Sequence, residues 1–118
     1  MAEHQLTGVK GEKLAYKYII QNGFKILHTN WRFKHLEVDI IATKNNKLHF
    51  IEVKTRRSSK YGHPEEDVNK KKLTNLIDAA EEFTIQFPEW KFLSFDILSI
   101  KLLKDSPPEF FYIEDVYL

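Results

Sequence analysis

Residues 37–56 read EVDIIATKNNKLHFIEVKTR, and this stretch decides the fold. Two runs rich in Val, Ile, Leu and Phe flank Asn45-Asn46, which is a β-hairpin signal. A two-residue turn there pairs Lys44 with Lys47, Ile41 with Phe50, Asp39 with Glu52 and Glu37 with Lys54. Side chains along a strand alternate with period two. In that register Glu37, Asp39, Glu52 and Lys54 share a face with Ile41, Thr43, Leu48 and Phe50. Val38, Ile40, Ala42, Ile51 and Val53 take the other face. Two largely apolar faces place the hairpin in the middle of a sheet, not at its edge.

Three carboxylates on one patch of a central sheet repel one another, and charges withdrawn from water need partners. Lys54 compensates one of them, and a divalent cation would compensate the rest. Mg²⁺ commonly binds through one or two carboxylates while keeping several waters. A bulge would shift the pairing by one residue and redistribute these groups.

Outward from the hairpin, Thr7 to Asn22 reads as a helix with Thr7 as N-cap and Gly23 as the C′ residue. Gly8, Glu12, Ala15 and Ile19 form its inward stripe. Glu12 is the anomaly on that stripe, either a helix-margin acid or one aimed at the carboxylate patch. Phe24 to Phe33 reads as a strand that breaks at Lys34-His35 before the hairpin. After Lys54 comes TRRSSKYGHPEED, a loop rich in turn formers. A second helix runs from Asp67 or Val68 to Phe87, with Val68, Leu73, Leu76, Ile77, Ala80 and Phe83 on its apolar face. Trp90–Ile100 and Phe110–Tyr117 read as strands. The order α-β-β-β-α-β-β gives an α/β class, with the first helix on one face of a mixed sheet and the second packed beside it.

The 118 residues fit a single domain, 1–118, with one core. The absence of cysteine excludes disulfides, thiolate zinc sites and a cysteine nucleophile. No signal-peptide core or membrane-length apolar run is present, so a cytoplasmic protein without a membrane partner is expected. A net charge of +1 does not by itself announce a nucleic-acid binder, and any such case rests on local charge. His4, His28, His35, His49 and His63 lack metal-ligand spacing, so no His-ligated zinc is expected, and His49 is expected to be a packed or edge side chain.

Asp39 with Glu52-x-Lys54 has a chemical logic. Phosphodiester hydrolysis needs an activated water and stabilisation of charge on the phosphate, and carboxylate-held metal ions supply both. Lys54 could orient the water or stabilise developing negative charge. The alternative is a solvated ladder of salt bridges that includes Glu37–Lys54. Arg56, Arg57, Lys60 and Tyr61 then read as a phosphate-contacting rim, or as a merely solvated loop. Lys70 at the second helix and Arg32, next to Trp31, are accessory candidates with Glu37.

Four motifs taken together resemble the bacterial YraN-like family. They are Gly8, Gly11, Glu12 and Ala15; Asn30-Trp31-Arg32; Glu37 to Ala42; and Phe50 to Arg56, with the likeness extending through Gly62 to Phe95-Asp96-Ile97. The resemblance implies a compact restriction-endonuclease-like fold of the PD-(D/E)XK group, similar in layout to archaeal Holliday-junction resolvases. It implies that Glu12 is the helical acid, Asp39 the strand acid, and Glu52 and Lys54 the E-x-K pair. The family has Gly before the Glu of its G-E-[IV]-D motif, and Leu36 stands there in this chain.

The expected function is therefore metal-dependent hydrolysis of nucleic-acid phosphodiesters, with DNA as the polymer and Mg²⁺ or Mn²⁺ as the cofactor. Asp39, Glu52 and Glu12 are its expected ligands and Lys54 the further catalytic group. Cutting a junction would call for a homodimer. The competing classes are a non-catalytic nucleic-acid-binding module of the same fold and a protein-interaction domain.

Overall fold

The structure, a computed structural model, describes residues 3–57 and 70–116, with side chains from residue 9 onward. Its elements in chain order are α1 (Glu3–Gln21), β1 (Lys25–Phe33), β2 (Leu36–Lys44), β3 (Lys47–Arg56), α2 (Lys70–Gln86), β4 (Leu93–Lys101) and β5 (Glu109–Ile113). The expected order of elements is the observed one. Thr7 lies inside α1, which begins earlier than the expected cap. The expected start of α2 falls outside the described residues, and the last strand, expected to reach Tyr117, ends at Ile113.

The five strands form one sheet in the order β1-β2-β3-β4-β5. The hairpin strands β2 and β3 are therefore interior. Asn45 and Asn46 both adopt positive φ, 53° and 63°, the conformation of a type I′ turn. The pairing runs from Lys44–Lys47 to Ile40–Ile51, as the sequence predicts. A parallel partnership joins β3 to β4. A crossover must link two parallel strands, and α2 supplies it.

The helices cover opposite faces. Ala15 and Ile19 of α1 pack with Ile40, Ala42, Ile51, Leu98 and Ile100. Leu76, Ala79, Ala80 and Phe83 of α2 pack with Val38, Ile41, Leu48 and Phe50. Helix α2 is thus not beside α1, because the crossover must pass over the face that α1 leaves open. Leu36, where the resembled family has Gly, is buried in the α2-side cluster.

Two features fix α1. Its end is closed by Gly23 at φ 87°, with Gly23 N–H donating to Ile20 O at 3.1 Å and Phe24 N–H to Ile19 O at 3.2 Å. Its body sits so close to β3 that a Cβ built on Gly11 would lie 2.1 Å from Thr55 Oγ1. Gly11→Ala should push the helix off the sheet and lower stability by about 1–3 kcal/mol, the usual cost of overpacking. Urea unfolding of the two proteins checks this, and an unchanged midpoint would contradict the close packing.

Candidate active site

The regular alternation of β2 fails at one residue. Val38 and Ile41, three positions apart, both join the α2-side cluster, while Ile40 joins the α1 side. Asp39 lies at the break. In β1, Thr29 pairs with Ile40 and Trp31 with Val38, but Asn30, between them, has φ 51° and skips its place opposite Asp39. Both strands therefore kink at the same level. The expected single face shared by Glu37, Asp39, Glu52 and Lys54 is corrected accordingly: regular alternation does not extend through Asp39.

The β2–β3 pairing stops at Ile40–Ile51. Past that point the Val53 N–H donates to Asp39 Oδ2 at 2.8 Å. A side chain thus takes the place of a strand carbonyl where the two strands part. Burial pushes the Asp39 carboxyl up to about 6, against the pull of the Val53 bond, and the charges of Glu52, Glu37 and Glu12 push it further.

Glu52 and Lys54 lie on the α2 side, since Ile51 and Val53 between and beside them face α1. Lys72 of α2 reaches Glu52 at 3.7 Å. The Lys72 charge is the main influence holding Lys54 below the usual lysine range, with partial burial and Arg56 acting in the same direction. Lys70 is exposed at the start of α2.

Glu12 accepts bonds from Asn30 Nδ2 and from Tyr16 Oη, each at 2.8 Å. The Asn30 bond, then the Tyr16 bond, hold its carboxyl below the ordinary glutamate value. Glu12 therefore meets β1 directly opposite the Asp39 kink. Glu37 is paired with Arg32 at 3.3 Å, not with Lys54. Trp31 belongs to the core, packed edge-on against Phe83. Among the described residues, no three His, Asp, Glu or Cys side chains are gathered to hold an ion. Arg56 and Arg57 end β3 and follow it, while Lys60 and Tyr61 lie outside the described residues.

The acids nevertheless fit a cation in their chemistry. Asp39 is a half-buried carboxylate raised first by desolvation and further by three neighbouring acids, of which Glu52 acts most strongly. A hard divalent ion with oxygen ligands would relieve that repulsion.

A second buried polar group escaped the sequence reading. Asp96, at 0% exposure, accepts from Ser94 Oγ at 2.5 Å, from Asp115 N–H at 2.9 Å, from Tyr112 Oη, and bonds His49 Nδ1 at 2.6 Å. Burial alone would raise its carboxyl, but these bonds, that of His49 foremost, hold it below the usual range. His49, expected to be a packed or edge side chain, is packed; its partner lies 47 residues away, with no local signal.

Comparison with known proteins gives one family. The uncharacterised protein family UPF0102 matches residues 11–100. A UPF0102 protein of Flavobacterium johnsoniae is 42% identical over 105 residues, covering 85% of each chain. A UPF0102 protein of Syntrophomonas wolfei is 38% identical over 114 residues, 93% of this chain and 96% of its own. One of Bacteroides thetaiotaomicron is 39% identical over 100 residues, 85% and 83%. This is the family that the four sequence motifs resemble.

The raised Asp39 carboxyl makes a pH prediction. The folded protein binds its proton up to about pH 6, the unfolded chain only to about 3.9, so ionisation of Asp39 destabilises the fold as pH rises between those values. Asp39→Asn keeps an oxygen for Val53 and removes the charge. The variant should gain stability over the wild type as pH rises from 4 to 7, by on the order of 1–3 kcal/mol at pH 7. Melting curves across that range check it, and a constant gap would mean that Asp39 titrates normally.

Proposed function

The chain belongs to the UPF0102 family, and we propose that it is a metal-dependent nuclease that hydrolyses phosphodiester bonds of nucleic acid, with DNA as the polymer. The reading rests most on two opposite charge deficits side by side on the central strands. Asp39 is surrounded by acids and lacks a cation. Lys54 is crowded by Lys72 and Arg56, and Glu52 offsets them only in small part. A divalent cation and a phosphate are together the complement of that arrangement.

Asp39 and Glu52 would hold Mg²⁺ or Mn²⁺, with Glu12 steadying the site through Asn30. When bound, such an ion makes its water more acidic and polarises the phosphoryl oxygens. Lys54 would donate to a non-bridging oxygen as negative charge develops there. Lys72, now beside Glu52, would exchange that glutamate for the same phosphate. Arg56, Arg57, Lys60 and Tyr61 would line the approach of the backbone, a contact whose affinity falls with salt. A homodimer belongs to this proposal only for a two-fold symmetric junction.

The Lys72–Glu52 contact also supports a second reading, a non-catalytic nucleic-acid-binding module of the same fold. There a protein cation already stands beside the glutamate.

The test is incubation with labelled duplex, flap and junction DNA and with RNA, in Mg²⁺, Mn²⁺ or chelator. Cleavage is expected only with a divalent ion. Glu52→Gln and Lys54→Met should lower the rate by about 10²–10³, the scale of losing a charge-stabilising group. Salt-dependent binding with no cleavage in either metal would favour the binding module.

A further inference from the structure

Asp96 and His49 form a buried dyad. The low-held Asp96 carboxylate is an acceptor only, and four groups converge on it. His49 must therefore present Nδ1–H to Asp96, which fixes the ring and leaves Nε2 as its second nitrogen. His49 is also one of six residues lining a cleft of about 190 Å³, with Phe24, Lys44, Asn45, Lys47 and Glu114. The cleft lies at the turn end of the β2–β3 hairpin, away from the kink at Asp39.

Charge in the cleft is unevenly spent. Lys47 is paired with Glu114 at 3.6 Å. The Lys44 Nζ sits 4.9 Å from the centroid of the Phe24 ring, and the His49 ring centroid lies 4.9 Å from that same centroid, edge-on. Phe24 thus neighbours both the ammonium and the imidazole. Among the described residues, no carboxylate is paired with Lys44. The volume is below the roughly 300–1,000 Å³ of pockets for drug-sized ligands, so it suits one charged group and not a whole cofactor.

We propose that this cleft is a phosphate-binding site, with Lys44 Nζ and His49 Nε2 as its two recognition groups and Asp96 as the positioning residue behind the ring. A phosphate monoester or inorganic phosphate carries the matching chemistry: oxygens for the ammonium, and either an acceptor for an Nε2–H or a proton for the Nε2 lone pair. The site is independent of the cleavage reading, since none of its residues belongs to the Asp39 centre.

The experiment is an NMR titration of the full chain at pH 6.5 with inorganic phosphate, following the His49 ring protons. Potassium chloride at equal ionic strength is the control. Phosphate should shift the His49 signals saturably and chloride should not. Lys44→Gln, a change at a residue outside the Asp96 hydrogen bonds, should weaken the affinity about tenfold. A second arm compares 5′-phosphorylated and unphosphorylated short oligonucleotides. A shift confined to the phosphorylated strand, at lower concentration than inorganic phosphate needs, makes the ligand a strand end. Equal response to both phosphates makes it a free anion. No shift of His49, the same shift with chloride, or unchanged affinity in Lys44→Gln would overturn the proposal.

Discussion

One hydrogen bond organises the centre of this molecule: the Val53 N–H donating to the Asp39 carboxylate at 2.8 Å. It stands where β2 leaves β3. It lets two interior strands part without stranding a buried amide, which would cost about as much as a lost hydrogen bond. The kink at Asn30 and Asp39 that accompanies it brings Glu12, on α1, up to β1. The close seat of α1 at Gly11 and Thr55 brings that helix near enough for the contact.

Two aspartates in the same sheet show what this geometry costs. Asp96 is more deeply buried in side-chain surroundings that supply four partners, and its carboxyl is held low. Asp39 has one backbone partner and three acidic neighbours, and its carboxyl rises to about 6. A fold selected for stability alone has every reason to treat both as it treats Asp96. Under the proposed nuclease function, that unrelieved repulsion at Asp39 is stability given up for a metal ligand. The cations on the α2 side carry the opposite strain, since Lys72 and Lys54 crowd each other beside Glu52.

The hairpin was legible because its information is local. Asn45-Asn46 set the turn, and alternation set the faces as far as Ile40 and Ile51. Asp39 and Glu52-x-Lys54 could be picked out for the same reason. The orientation of Asp39 was not legible, because it follows from a kink that β1 and β2 make together. A one-strand pattern holds no trace of Asn30 at positive φ. No local pattern ties Lys72 to Glu52, and only the α2 crossover carries it there. The placement of α2 opposite α1 likewise follows from the parallel β3–β4 pairing, which hydrophobic periodicity does not specify. The Asp96 cluster joins His49, Ser94, Tyr112 and Asp115, residues whose proximity depends on the whole sheet.

The most direct measurement is a crystal of the protein soaked in Mn²⁺, with anomalous scattering collected for the metal. The account predicts an anomalous peak within coordination distance of both Asp39 and Glu52, with Lys72 displaced from the glutamate. Absence of a peak there, with the Lys72–Glu52 contact intact, would contradict it.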